Sequence, residues 1–293
     1  CLVFTSHILM EQLKIFVNLT RLNKPIGFML LFWPCSWGLV YAFNQDQNFE
    51  VFLHYLLLFF LGSVLMRSAG CIFNDIVDKD IDKKVQRTKN RPIASGKISV
   101  NVSLLYVLLL CILSFFILIQ FNLKTIILGL GSMLLAFSYP FMKRFTYWPQ
   151  LFLGLTFNWG MIMAYTAILD QITIEIIVFY FSAIFWTLGY DTIYGVQDIT
   201  DDEIIGIKST SIKFKKNLKL FVCICYLITC SLLIFLLFND LGINLLTLFA
   251  IMFAFSLVYQ LKIFDKKKPS SCLKAFKFNN LSGILLFITI LMQ

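Results

Sequence analysis

The sequence predicts an all-α integral membrane protein with about nine transmembrane helices. Its 293 residues are 59% hydrophobic and only 14% charged, and the mean hydropathy is +0.82, far from the balance of a soluble globular domain. Apolar runs long enough to cross about 30 Å of hydrocarbon recur along the chain. No hydrophilic domain interrupts them. We therefore expect a single membrane domain over residues 1–293.

The elements follow in order from the N-terminus. Residues 1–25 are mixed in polarity and lack the successive basic, apolar and small-residue regions of a cleavable signal peptide, so we expect the first span to direct insertion. The predicted spans cover residues 26–43, 50–70, 99–119, 124–140, 148–168, 172–192, 218–238, 241–261 and 276–292. Some of these runs are short or nearly abut, so eight spans is the alternative count.

The basic residues support nine spans. Lys and Arg concentrate in the short cytoplasmic loops of membrane proteins. With nine spans, all but two of the 25 basic residues fall on one side of the membrane, the exceptions being Arg67 within a span and Lys124 on the opposite side. A wrong span count would scatter the basic loops over both sides. We therefore expect the N-terminal segment and the basic loops to be cytoplasmic.

Two acidic motifs with the same spacing follow the second and sixth spans. The first covers residues 74–82 and the second residues 191–202. Asp78 and Asp82 of the first motif match Asp198 and Asp202 of the second, 120 residues later in each case. Residues four apart lie on one face of a helix, and acids at the end of a membrane helix are costly without a compensating cation. The pattern predicts a duplicated four-helix unit plus a terminal helix, with a polar site on the cytoplasmic side.

Oxygen ligands dominate both motifs, and they suit Mg²⁺, which proteins commonly hold through one or two carboxylates together with substrate phosphates. The candidate metal ligands are Asn74, Asp78, Asp82, Asp191, Asp198 and Asp202. The alternative is that they are solvated loop acids that help to end helices, which the repeated spacing in an acid-poor chain disfavours.

Basic residues on the same predicted side could bind a diphosphate group, since arginine offers bidentate contacts to phosphate and lysine a compact charge. The candidates are Arg87, Arg91, Lys143 and Lys208. The alternative for each is the general excess of basic residues in cytoplasmic loops or contact with lipid headgroups.

Eight segments resemble the UbiA superfamily of membrane prenyltransferases, and within it the 4-hydroxybenzoate polyprenyltransferases of ubiquinone biosynthesis. They occur in the family's order over nearly the whole chain. They are residues 22–27 (LNKPIG), 31–39 (LFWPCSWGL), 66–82 (MRSAGCIFNDIVDKDID), 87–96 (RTKNRPIASG), 139–150 (YPFMKRFTYWPQ), 189–202 (GYDTIYGVQDITDD), 206–210 (GIKST) and 274–280 (KAFKFNN).

The resemblance implies an Mg²⁺-dependent enzyme that transfers a polyprenyl group from polyprenyl diphosphate to 4-hydroxybenzoate, at the ring carbon meta to the carboxylate. It implies that Asp78, Asp82, Asp198 and Asp202 are the catalytic carboxylates. It implies that Arg144 occupies the basic position that binds the carboxylate of the aromatic acid in this family. We assign Tyr139 to the same acceptor site. The expected surroundings are a lipid bilayer, without nucleic acid or a nucleotide cofactor. A bacterial inner membrane is expected, and the mitochondrial inner membrane is the alternative.

Three other functions remain as alternatives. A related prenyltransferase could use homogentisate or dihydroxynaphthoate as acceptor. A membrane phosphotransferase acting on CDP-alcohols would need one compact acidic motif rather than two. A cation transporter would carry its acids near the middle of the membrane in broken helices, whereas these motifs lie beside basic loops.

Overall fold

The computed structural model describes residues 2–293, with side chains from residue 10 onward. In this part of the chain all regular structure is helical. The helices are α1 (Leu2–Thr20), α2 (Ile26–Asp46), α3 (Phe49–Val77), α4 (Lys79–Asp82), α5 (Val100–Leu118), α6 (Leu123–Phe145), α7 (Pro149–Leu169), α8 (Ile174–Gly195), α9 (Ile199–Ile205), α10 (Thr210–Lys213), α11 (Leu218–Leu236), α12 (Leu245–Ile263) and α13 (Pro269–Leu291), with a 3₁₀ turn at Val196–Asp198.

Among the described residues, nine helices are long and apolar enough to cross a membrane, namely α2, α3, α5, α6, α7, α8, α11, α12 and α13. The predicted all-α membrane fold and its nine spans are confirmed. The second span was predicted to end at residue 70, but α3 continues to Val77 and has 29 residues. At 1.5 Å per residue α3 is about 43 Å long, more than the hydrocarbon thickness. The first acidic motif therefore begins on a helix that extends beyond the hydrocarbon.

Polar residues fix where five of the spans begin. In each, the side chain before the first turn accepts a hydrogen bond from the backbone N–H three residues later, which satisfies one of the free donors at a helix start. These N-cap residues are Asn48, Ser99, Asn122, Thr173 and Asn244. Four of the five follow short connections, whereas Ser99 ends the longer loop between α4 and α5.

Close helix contacts join the two four-helix units. The first unit is α2, α3, α5 and α6, and the second is α7, α8, α11 and α12. At Gly38 of α2, an added Cβ would lie 2.3 Å from the carbonyl oxygen of Met161 in α7, so only glycine permits this approach. The indole of the buried Trp37 donates to the carbonyl oxygen of Gly283 in α13 at 3.0 Å. Helix α13 also packs against α8 and so contacts both units, while the assignment of residues 1–293 to one domain stays a prediction.

Candidate active site

The two acidic motifs come together at one end of the helical bundle, around a cavity of about 1690 Å³. Helices α3 and α8 end there, and the loop between α4 and α5 crosses from one motif to the other. Eleven of the twelve predicted site residues line this cavity: Asn74, Asp78, Asp82, Arg87, Arg91, Tyr139, Lys143, Asp191, Asp198, Asp202 and Lys208. The remaining one, Arg144, does not.

Asp78 lies at the C-terminus of α3 and is 1% exposed. Its Oδ2 accepts a hydrogen bond from Asn74 Nδ2 at 3.0 Å and forms an ion pair with Lys143 of α6. Its Oδ1 is buried and has no hydrogen-bond partner among the described residues. A buried unpaired carboxylate oxygen is costly, so this atom is available to a ligand that supplies positive charge.

Asp75 and Asp82 of the first motif belong to a network with two arginines. Arg91 Nη1 contacts Asp82 Oδ2 at 2.8 Å and Asp75 Oδ1 at 3.0 Å. Arg21 Nη2 contacts the same oxygen of Asp75 at 2.5 Å. Burial raises the pKa of Asp82, and nearby Asp75 and Asp78 add to this effect, whereas Arg91 opposes it. The network joins the end of α1 and the α4–α5 loop to the end of α3.

Sequence reasoning missed Asp75 and Arg21 as site residues. Arg21 follows α1 and adopts a left-handed backbone conformation with a φ of 56°, which is uncommon for residues other than glycine and is often found at functional sites. Asp75 stands next to Asn74 within the first motif, but it falls outside the four-residue spacing. Only the fold shows that Arg21 and Asp75 meet.

Arg87 links the first half of the site to the second. Its Nε and Nη2 contact the two carboxylate oxygens of Asp198 at 2.7 and 2.5 Å, the bidentate geometry that makes arginine–carboxylate contacts strong. Nearby, the backbone N–H of Gln86 donates to Asp201 at 3.2 Å. The loop after the first motif is therefore anchored on the second motif.

Lys208 and Arg144 make contacts that their predicted functions do not require. Lys208 Nζ lies 3.3 Å from the carbonyl oxygen of Phe145, although the residue lines the cavity. Arg144 Nη2 donates to the carbonyl oxygen of Val77 at 2.7 Å, so it satisfies a backbone group at the C-terminus of α3. The assignment of Arg144 to the aromatic acceptor stays a prediction.

A basic residue that sequence reasoning left without a function lines the cavity further inside. Arg67 of α3 donates to Cys71 Sγ at 2.8 Å and lies over the ring of Phe157, 5.5 Å from its centroid. Its Nε is buried, and no hydrogen-bond partner for it lies in the part of the chain that the structure describes. Asp191 and Tyr190 line the same cavity, and the Tyr190 hydroxyl is likewise unpartnered. A charged residue inside a span is itself a signal of function, and it could have identified Arg67.

The donor atoms of this site fit a hard divalent cation, because they are carboxylate and amide oxygens with one buried carboxylate oxygen unpaired. They do not form a preformed metal cage. Among the described residues, no three His, Cys, Asp or Glu side chains lie close enough together to hold a metal ion. The carboxylates instead contact Lys143, Arg87 and Arg91. A metal would therefore need further oxygen ligands, such as those of a substrate phosphate.

Comparisons with known sequences give the family. The model of the UbiA prenyltransferase family matches residues 31–282. A 4-hydroxybenzoate octaprenyltransferase of Vibrio parahaemolyticus is 40% identical over 284 residues, which are 96% of this chain and 98% of that protein. A mitochondrial 4-hydroxybenzoate polyprenyltransferase of Arabidopsis thaliana is 46% identical over 213 residues, which are 72% of this chain. The matched part is about half, 52%, of the Arabidopsis protein.

Solved structures share the fold. A UbiA homologue from Aeropyrum pernix K1 superposes with a TM-score of 0.74 at 20% identity, covering 89% of this chain and 96% of that one. A UbiA homologue from Archaeoglobus fulgidus bound to GPP and Mg²⁺ gives a TM-score of 0.68 at 18% identity, covering 94% and 99%. From its sequence and its arrangement of helices, the chain belongs to the UbiA prenyltransferase family.

Proposed function

We propose that the protein transfers a polyprenyl group from polyprenyl diphosphate to the ring carbon meta to the carboxylate of 4-hydroxybenzoate, with release of diphosphate, in ubiquinone biosynthesis. The observation that carries this proposal is the cavity with carboxylates and basic residues of both units at one end and an apolar interior. It suits a substrate with a diphosphate head and a hydrocarbon tail. The names of relatives at 40% and 46% identity support the acceptor.

We propose Mg²⁺ as the metal. Asn74, Asp78 and Asp82 would hold it from one unit, and Asp191, Asp198 and Asp202 from the other. When bound, the ion supplies Lewis-acid stabilisation of the charge that develops on the diphosphate. That a UbiA homologue of known structure is bound to Mg²⁺ together with GPP supports this choice.

The basic residues of the site would bind the diphosphate. Lys143, Arg87 and Arg91 now contact carboxylates, and they can turn to phosphate oxygens when those carboxylates bind metal. In the reaction, the allylic C–O bond breaks and its electron pair leaves with the diphosphate. The ring carbon of the acceptor forms the new C–C bond and then loses its proton. The apolar walls of the cavity exclude water, which would otherwise trap the allylic cation.

Two arginines are candidates for the carboxylate of the acceptor. Arg144 is the residue that the family resemblance implies, and Tyr139 lies near it in sequence. Arg67 is a second candidate, because it lines the cavity and has a buried Nε without a partner. An aromatic carboxylate at Arg67 would satisfy that donor.

The proposed location is a bacterial inner membrane with the site facing the cytoplasm, and the mitochondrial inner membrane is the alternative. The excess of basic residues at the end of the bundle that holds the site supports this orientation. Labelling of single cysteines in intact cells tests it. Cysteine at Asp80, beside the site, should be protected from an impermeant thiol reagent, and cysteine at the exposed Ile243 in the α11–α12 loop should react.

The function is tested by supplying the purified protein with a polyprenyl diphosphate, Mg²⁺ and one acceptor at a time. We expect a 3-prenyl product from 4-hydroxybenzoate. Formation of product only from homogentisate or dihydroxynaphthoate would move the protein to another branch of the family. A cation transporter is not favoured, since the acids of the two motifs lie at helix ends beside basic residues.

A further inference from the structure

The cavity extends far from its polar end. Along α3 its lining continues from Asn74 through Gly62 to Phe59. Fifteen residues separate Asn74 from Phe59, which corresponds to about 22 Å of helix. The volume of about 1690 Å³ exceeds the range of about 300–1,000 Å³ that is usual for small-molecule pockets. The space is therefore a long groove rather than a compact pocket.

Two other helices line the groove to the same depth. On α6 the lining runs from Lys143 to Gly129, and on α7 it runs from Pro149 to Met163. The ends of each stretch are fourteen positions apart, which corresponds to about 21 Å of helix. All three helices therefore line the groove to a similar depth, which marks its inner end.

Two aromatic rings lie at that end. Phe59 of α3 and Phe121 of the α5–α6 connection have ring centroids 4.8 Å apart, and Tyr55 packs on Phe121 at 5.0 Å. Phe59 is 7% and Phe121 8% exposed, and both line the cavity. Tyr55 is not among the lining residues and supports Phe121 from behind. The two phenylalanine rings thus form the floor of the groove.

Just above the floor, Gly62 of α3 leaves open space in the wall of the groove. Gly62 lies one helical turn from Phe59, and a Cβ added to it would meet no atom within 4 Å. Since Gly62 also lines the cavity, a larger side chain there would project into the groove. Twelve residues separate Gly62 from Asn74, so this position lies about 18 Å from the polar end.

We propose that this groove measures the polyprenyl chain of the donor, and that Phe59 and Phe121 set the length that is bound in line with the helices. The inference rests on the proposed function, which places the diphosphate, and with it the first carbon of the chain, at the polar end. With carbon–carbon bonds of about 1.5 Å, an isoprene unit with four carbons along the chain covers roughly 5 Å. About four units therefore reach the floor, and further units must bend away from it.

The length dependence of catalysis tests this inference in the wild-type protein. The value of kcat/KM should rise from geranyl to geranylgeranyl diphosphate, which have two and four isoprene units. It should rise little from four units to six. Each unit within the groove gains apolar contact with the protein, whereas units beyond the floor do not. A steady increase in kcat/KM from two to six units would overturn the proposal that Phe59 and Phe121 limit the bound length.

A substitution at Gly62 gives the sharper test. Gly62→Phe should lower kcat/KM for geranylgeranyl diphosphate by about tenfold or more, as a blocked apolar pocket does. The geranyl donor ends short of Gly62, so its kcat/KM should stay within about twofold of wild type. This second donor also reports whether the variant folds.

Gly131 provides a matched control on α6. An added Cβ at Gly131 also meets no atom within 4 Å, but this glycine is not among the cavity-lining residues. Gly131→Phe should leave the ratio of the two donors unchanged. In the opposite direction, Phe121→Ala should shift the preferred donor towards six units.

The outcomes separate the two proposals. If the wild type transfers no prenyl group from any donor, the proposed function is wrong, and the chain-length assignment is wrong with it. If the wild type is active but Gly62→Phe slows both donors equally, or neither, the groove does not measure the chain and only this inference is overturned.

Discussion

Lys143 and Asp78, which are 65 residues apart in the chain, form an ion pair at the polar end of the cavity. The pair joins the C-terminal end of α6 to that of α3. It uses one carboxylate oxygen of Asp78, and the other is buried without a partner among residues 10–293, whose side chains the structure describes. Asp78 therefore has a carboxylate oxygen that is available to a ligand, and it is the first residue to test.

Replacement of Asp78 by asparagine should remove most of the activity. We expect Asp78→Asn to lower kcat/KM by about a hundredfold or more, as for the loss of one charge-stabilising group at a reacting centre. The matched control is Asp80→Asn in the same motif, because the side chain of Asp80 is 86% exposed and pairs with Lys83 at the surface. Exposed ion pairs contribute little, so this variant should behave as wild type. Equal effects of the two changes would remove Asp78 from the metal site.

Arg67 and Arg144 can be separated by acceptor kinetics. If Arg67 binds the carboxylate of 4-hydroxybenzoate, Arg67→Ala should raise the KM for this acid about tenfold to a hundredfold, the scale of a lost hydrogen bond to a charged group. The KM for the prenyl donor should change much less. Arg144→Ala should mainly lower the melting temperature, because Arg144 binds the carbonyl oxygen of Val77 at the end of α3. The reverse pattern would support Arg144 as the acceptor residue.

Metal and diphosphate should bind together rather than separately. The carboxylates of the site already contact basic side chains, so Mg²⁺ alone has to compete with Lys143, Arg87 and Arg91. Diphosphate gives those basic groups a new partner. Mg²⁺ with inorganic diphosphate should raise the melting temperature by roughly 4 °C or more, and either one alone should have little effect.

The same melting-temperature measurement on one arginine variant and one lysine variant tests which basic residues bind diphosphate. Arg87→Met should reduce the joint stabilisation by Mg²⁺ and diphosphate, because it removes a basic side chain that can leave Asp198 and bind the diphosphate. Lys215→Met removes an exposed ion pair with Glu203 and should leave the stabilisation unchanged. A full shift by Mg²⁺ alone would mean that a complete metal cage exists without diphosphate.

Stability should depend on pH through Asp82. Burial raises the pKa of Asp82, so the folded protein binds this proton more tightly than the unfolded chain does. The contribution of Asp82 to stability is fully present when the pH is below the pKa of an unfolded aspartate, about 3.9. It is lost as the pH rises through the higher pKa of Asp82 in the folded protein. The melting temperature of the wild type should therefore fall, relative to Asp82→Asn, as the pH is raised from about 4.

Asp80 serves as a control of opposite sign. A hydrogen bond and the charge of Lys83 lower the pKa of Asp80, so its contribution is present at higher pH and is lost as the pH falls through the folded pKa. The melting temperature of the wild type relative to that of Asp80→Asn should therefore not fall as the pH rises. If the melting temperatures of Asp82→Asn and Asp80→Asn, each relative to wild type, changed with pH in the same way, the raised pKa of Asp82 would be contradicted.

Hydropathy and the placement of basic residues were sufficient to predict the nine spans, because a bilayer imposes length and charge asymmetry on each of them. The repeated spacing of the acids identified both motifs. Lys143 and Arg144 show where such reasoning ends. Neighbouring residues on a helix point about 100° apart, so the two side chains have different surroundings. The sequence does not reveal which of them lines the cavity, and in the structure it is Lys143.

The contacts missing from the prediction are those between distant segments. Arg21 contacts Asp75, which is 54 residues away in the chain. Its left-handed backbone conformation is not indicated by any sequence motif. Arg67 was visible as a charge within a span, but its unpaired Nε depends on how α3 packs against its neighbours. Spacing rules describe one helix at a time, and these features belong to several.

The carboxylate–cation contacts at the polar end also bear on how the proposed reaction ends. Lys143 contacts Asp78, and Arg87 contacts Asp198, so each basic group has a partner within the protein that can replace the diphosphate. As the product leaves, the protein's own acids compete for the groups that held it. Part of the affinity for diphosphate is cancelled in this way, which favours rapid turnover over retention of the leaving group.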